Sequence, residues 1–152
     1  MQCDADTVGS DNPASDAEII AMAASLLGDG NAVGTVTSGG TESLLMAVKT
    51  ARDWARKHRP EIKEPEMILP LSGHPAFEKA SEYFGVKAVR TPLRPDSRAD
   101  VDSMRKAITP NTILMIGSAP AYPHGVVDPI REMAGIAQQH GILFHTDACV
   151  GG

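Results

Sequence analysis

The 152 residues, 42% hydrophobic and 22% charged, suffice for one globular domain with a buried core, or for part of a larger one. A net charge of −5 and a pI near 5.4, with basic residues scattered among acidic ones, give no general attraction to nucleic acid or an anionic membrane, so an anionic ligand needs a local site. Two cysteines, Cys3 and Cys149, make no disulfide framework and suit a reducing compartment, so a cytoplasmic location is expected.

Residues 1–15, crowded with Gly, Asp, Asn, Pro and Ser, have neither a basic n-region nor an apolar h-region. They read as an irregular lead-in rather than a secretory signal. Asp16 is placed to cap a helix over residues 16–27, which is too short to span a bilayer, and Gly28, Asp29, Gly30 and Asn31 supply its stop. An apolar run over 32–37 reads as a strand ending at Ser38-Gly39-Gly40-Thr41. The spacing of Leu44, Leu45, Val48, Ala51, Trp54 and Ala55 is helical, and Pro60 bounds that helix.

Strands are predicted over 67–71, 86–91, 112–117 and 142–146, and helices over 75–84, 100–108 and 129–140, the last ended by Gly141. Five strands with near-continuous apolar runs, separated by helices, predict a parallel sheet covered on both faces. Ligands of such sheets sit beyond the carboxyl ends of the strands. The loops after Thr37, Leu71, Gly117 and Thr146 therefore form one functional edge.

Ser38, Gly39, Gly40, Thr41, Glu42 and Ser43 lie between a strand and a helix. Free backbone N–H groups, the helix dipole and the absence of glycine side chains suit a phosphate there, and an ordinary N-cap turn explains the same residues equally well. The segment matches neither the dinucleotide nor the P-loop pattern. His74, following Ser72 and Gly73 after a buried strand, can stack on a flat ring or stand as a solvated loop residue. His145, Asp147 and Cys149 share one side of the last strand. Same-side positions are about 7 Å apart, whereas zinc ligands converge at about 2 Å on one ion, so no metal site is expected. A carboxylate at Asp147 suits a cationic ring nitrogen, with a turn or cap role as the alternative. His124, in the turn Pro120, Tyr122, Pro123, His124, Gly125, either lines the site or serves the turn. No nucleophile elbow and no basic patch interleaved with aromatics occur, which argues against hydrolase and nucleic-acid functions.

Four ordered blocks carry a family resemblance: Thr37-Ser38-Gly39-Gly40-Thr41-Glu42-Ser43, Ser72-Gly73-His74-Pro75-Ala76-Phe77-Glu78-Lys79-Ala80, Pro123-His124-Gly125-Val126-Val127-Asp128-Pro129, and His145-Thr146-Asp147-Ala148-Cys149-Val150-Gly151-Gly152. From residue 16 to 152 the sequence resembles the pyridoxal-phosphate group II decarboxylases. The Pro-His-Gly block and Tyr83-Phe84-Gly85 point to the sphingosine-1-phosphate lyase branch. Gly73, where those lyases usually carry alanine, and Thr146, where they carry valine, are small departures.

The resemblance implies a fold-type I pyridoxal-phosphate transferase-like large domain, a three-layer α/β/α sandwich with a mostly parallel sheet, spanning 16–152 and incomplete. It implies pyridoxal 5′-phosphate as cofactor. Gly40 and Thr41 hold its phosphate, Ser38 and Gly39 shape the loop, His74 stacks on the ring, Asp147 pairs with the ring nitrogen, and Cys149 packs near the opposite face. His124 is the candidate acid or base. The family's Schiff-base lysine belongs to a block beyond Gly152, so the chain is expected to be a fragment that is inactive alone. The parent enzyme is expected to be a homodimer without a membrane span that acts on a small amine and cleaves a phosphorylated long-chain base to an aldehyde and phosphoethanolamine. Amino-acid decarboxylation is the enzymatic alternative, and a truncated product that only binds a partner is the non-enzymatic one.

Overall fold

The computed structural model describes residues 13–27 and 32–151. Helix α1 (Pro13–Leu27) is followed by α2 (Gly40–His58), β1 (Glu66–Pro70), α3 (Ala76–Phe84), β2 (Lys87–Thr91), α4 (Val101–Lys106), β3 (Thr112–Ser118), α5 (Ile130–Gln139) and β4 (Leu143–Asp147). The four strands pair in parallel in the order β2-β1-β3-β4.

Continuous burial makes the central strands what they are. Met67, Ile68 and Leu69 are fully buried, as are Ile113, Met115 and Ile116, because each strand is covered on both faces. On one face α2 and α3 bring Leu44, Val48, Ala51, Ala55, Phe77 and Ala80 against Met67, Leu69, Ile113 and Ile116. On the other, α4 and α5 bring Val101, Met104, Met133, Ile136 and Ala137 against Ile68 and Met115. The buried positions of α2 recur every three or four residues, the helical stripe read from the sequence. A Cβ built at Gly117 would lie 2.9 Å from Ile130 Cδ1 and Met133 Cε, so this glycine sets how closely α5 approaches β3.

Three expectations are corrected. Residues 32–37 form no strand. None of the paired strands accepts them as a neighbour, and Val33 is 94% exposed, so neither a ladder nor a core holds the run. The described sheet has four strands instead of five. Asp16 lies in the first turn of α1 rather than capping it, because the helix already begins at Pro13, a residue suited to a helix start; residues 13–15, expected in the irregular lead-in, are helical. The turn expected at Gly28, Asp29, Gly30 and Asn31 lies outside the described residues, as do Cys3 and Gly152.

The topology sets the site. From β1 the chain moves outward to β2 through α3 on one face, then returns past β1 to β3 and β4 through α4 and α5 on the other. The direction of winding reverses between β1 and β3, and a crevice at the carboxyl ends of the strands is the usual ligand site of such a sheet. The register aligns those ends: Pro70 pairs with Thr91 and Ser118 with Asp147.

Candidate functional site

The glycine-rich segment arrives at this edge as the start of α2. Gly39 precedes the helix at φ 156°, ψ 170°, a backbone region that side chains disfavour, and gives no side-chain cap. Helix geometry leaves the N–H groups of Gly40, Thr41 and Glu42 without intrahelical acceptors. The loop is tied by its own side chains: Glu42 Oε2 accepts from the Ser38 N–H (2.7 Å) and hydroxyl (2.6 Å), and the Thr37 and Ser43 hydroxyls are 2.7 Å apart. The Ser38 hydroxyl is thereby engaged within the loop, and its hydrogen bonds hold the Glu42 carboxyl below the ordinary carboxylate range. A Cβ built at Gly40 would lie 2.8 Å from Cys149 Sγ, so the first turn of α2 touches the loop after β4.

Asp147 ends β4 beside Ser118, and its carboxylate accepts the Cys149 N–H at 3.3 Å. It is buried, and desolvation pushes its carboxyl above the usual range, opposed by the Cys149 N–H. Two residues earlier, His145 lies edge-on to Phe77, and burial pushes its imidazole down to about 4. Its Nε2 has no hydrogen-bond partner among the described residues.

His74 leaves β1 on the loop before α3. Its Nδ1 accepts the Ala76 N–H at 3.1 Å, so the neutral ring carries its proton on Nε2. Gly40, Cys149 and Asp147 thus form one linked group at the carboxyl edge, with Thr41 exposed beside Gly40, and His74 stands on the loop that leaves β1 at the same edge. His124 is exposed in the turn closed by the Ala121–Val126 bridge, where Gly125 adopts φ 64°.

Two groups were missed in the sequence. Arg90 looked like an ordinary strand residue, yet it bonds the carbonyls of Pro70 and Gly73 and the carboxylate of Glu78. A charged residue inside a run otherwise suited to burial was the available signal. Asp128 is buried and accepts the N–H groups of Ala99 and Ser118, contacts too distant in sequence to be read from it. Among the described residues, no group of three or more His, Cys, Asp and Glu side chains is placed to hold a metal, and no helix is long and apolar enough to cross a membrane.

With this geometry in place, comparison with known proteins decides the family. The Aminotransferase class-V family model matches residues 25–151. The chain belongs to the class-V aminotransferase family. Within it, the sequence is 48% identical over 143 residues to "Sphingosine-1-phosphate lyase" of Arabidopsis thaliana, covering 90% of this chain and 26% of that protein. It is 49% identical over 138 residues to "Sphingosine-1-phosphate lyase 1" of Rattus norvegicus, covering 90% and 24%. The solved structure of the Burkholderia pseudomallei sphingosine-1-phosphate lyase superposes with a TM-score of 0.83 at 39% identity, covering 90% of this chain and 33% of that one. A glutamate decarboxylase of Lactobacillus brevis shares the fold at TM-score 0.76 and 19% identity. This class-V aminotransferase chain spans about a quarter of the length of the curated relatives it matches.

Proposed function

We propose that these residues are the cofactor-binding part of a pyridoxal-phosphate-dependent carbon–carbon lyase that cleaves a phosphorylated long-chain base to a long-chain aldehyde and phosphoethanolamine. The observation that carries the reading is the meeting of an anion-suited helix start with a buried carboxylate across the Gly40–Cys149 contact. A phosphorylated, cationic ring needs one of those groups at its phosphate and the other at its ring nitrogen.

The donor set fits the cofactor. The free N–H groups of Gly40 and Thr41 hold its phosphate, and the glycine at 40 leaves room where a side chain would strike Cys149. Ser38 and Gly39 shape that loop through Glu42 and the Gly39 backbone. His74, with its ring fixed by the Ala76 N–H, would lie against the flat face of the cofactor ring, and Cys149 would pack near the other. Asp147 accepts only the Cys149 N–H among the described residues and keeps a proton at the ring nitrogen by direct charge pairing. Pyridoxal phosphate, when bound, supplies an electron-accepting ring that lets a bond at the substrate's amine-bearing carbon break. His124, exposed in its turn, is the candidate for moving a proton to or from the departing group. The homodimer expected from the resemblance and the cytoplasmic location expected from the cysteine usage belong to the same proposal.

Amino-acid decarboxylation is the second reading. It is supported by 38% identity to the "Probable L-tyrosine/L-aspartate decarboxylase" of Methanothermobacter thermautotrophicus, over 88% of this chain and 36% of that protein. Incubating the full-length protein and pyridoxal phosphate with sphingosine-1-phosphate, tyrosine or aspartate separates the two. Long-chain aldehyde and phosphoethanolamine in equal amounts are expected. Carbon dioxide release from an amino acid, with the long-chain base intact, would overturn the lyase reading.

A further inference from the structure

We infer that Arg90 is a positioning residue for this site, acting through the loop of residues 71–75 to hold the His74 imidazole; the inference rests on the proposed role of His74 against the cofactor ring. Arg90 lies on β2, with its side chain 23% exposed. Its Nη1 donates to Pro70 O and to Gly73 O, both at 3.0 Å. Its Nε and Nη2 each lie 2.7 Å from Glu78 Oε1 on α3. One planar guanidinium therefore joins the end of β1, the carbonyl just before His74, and the helix just after it. A lysine ammonium is a point charge on a flexible stem and does not present this fixed fork.

The loop is built to admit the clamp. A Cβ at Gly73 would lie 3.1 Å from Arg90 Nη1, 3.0 Å from Leu69 Cδ1 and 3.1 Å from Pro70 O, so the bare backbone lets the guanidinium close on both carbonyls. Ser72, buried below, has a hydroxyl without a partner among the described residues and does not anchor the turn. Ahead of the ring, the Ala76 N–H bonds His74 Nδ1 and the Phe77 N–H bonds His74 O, both at 3.1 Å. With Arg90 holding the chain behind His74 and α3 holding ring and carbonyl ahead of it, the imidazole is fixed before any ligand arrives. Fixing a contact group in advance spares the ordering cost of binding.

The test reads His74 directly. In the ¹⁵N-histidine-labelled 152-residue chain, His74 is expected to show an unprotonated Nδ1 and a protonated Nε2. In Arg90→Met both nitrogen shifts should move toward those of a freely turning imidazole, while His145 in the core keeps its own. Arg90→Lys should fall between, and Glu78→Gln, an exposed change, should move His74 in the same sense without touching the core. In the full-length protein, the dissociation constant of pyridoxal phosphate, read by fluorescence titration, should rise in Arg90→Met on the order of tenfold. Unchanged His74 shifts in Arg90→Lys and Glu78→Gln would overturn the inference, as would shifts that move only together with those of His145. A moved His74 with unchanged cofactor affinity would uphold the clamp and instead overturn the reading of His74 as a cofactor contact.

Discussion

Burial acts on two side chains of β4 in opposite directions. The folded His145 titrates at about 4, below its ordinary 6.5, so between those values the unfolded chain binds more protons. The stability tied to a neutral His145 is complete above pH 6.5 and is lost as the pH falls toward 4, an effect of about 3 kcal/mol at most. Replacing His145 by Leu, which packs on Phe77 without titrating, should flatten this part of the curve; parallel urea midpoints for both chains from pH 7 to 4 would refute the assignment. Asp147 has the opposite sign. Its raised folded pKa means that its contribution is present below the unfolded value of 3.8 and lost as the pH rises through the folded one, so the buried carboxylate opposes folding at neutral pH. Asp147→Asn, which can still accept the Cys149 N–H, should therefore stabilise the chain at pH 7. In the full-length protein, on the proposed role of Asp147, it should lower turnover on the order of a hundredfold, with pyridoxal phosphate still bound through the Gly40 loop, because the charge proposed to pair with the ring is gone. Near-parental turnover at saturating cofactor would remove Asp147 from that role.

Between elements, the tie at Asp128 shows what patterning does not convey. Its Oδ1 accepts the Ala99 N–H at 2.8 Å and its Oδ2 the Ser118 N–H at 2.9 Å, joining the segment before α4 to the end of β3. Asp128→Ala strands both donors in the interior and should destabilise the fold by about 2–4 kcal/mol. Asp128→Asn, which keeps one acceptor, should lose less; equal denaturation midpoints for all three chains would show that the tie contributes nothing. The sequence displayed Asp128 only as part of a block, because its partners lie 29 and 10 residues away. The elements themselves were legible wherever their own residues decide them: α2 by its stripe, β1 and β3 by their unbroken apolar runs, α5 by its end at Gly141, which takes φ 65°. The run over 32–37 misled because apolar β-formers become a strand only beside a partner. Arg90 was passed over for a related reason, since the carbonyls it serves become neighbours only when β1 and β2 pair.

For the whole molecule, the hydrophobic pattern indicates a parallel sheet but does not order it; the reversal between β1 and β3 emerges only when α3 is on one face and α4 and α5 on the other. That reversal gathers the Gly40 loop, His74 and Asp147 at one edge and leaves every lysine elsewhere. Lys87 pairs with Glu66 at the amino end of the sheet, Lys63 bonds Pro60 O, and Lys57, Lys79 and Lys106 are exposed on helices. Lys49 is the nearest in sequence to the Gly40 loop, but eight helical residues beyond Thr41 place it about 12 Å along the axis, and it is paired with Asp53 at 2.8 Å. These 152 residues should therefore bind pyridoxal phosphate without attaching it to any one lysine. Mixing the chain with the cofactor, reducing with borohydride and mapping peptides by mass spectrometry should give scattered, substoichiometric labelling and no cleavage of a phosphorylated long-chain base. The full-length protein treated in the same way should label at a single lysine outside these residues. Stoichiometric labelling of one lysine within them, accompanied by turnover, would mean that the site draws its lysine from a helix or strand that the fold directs away from it.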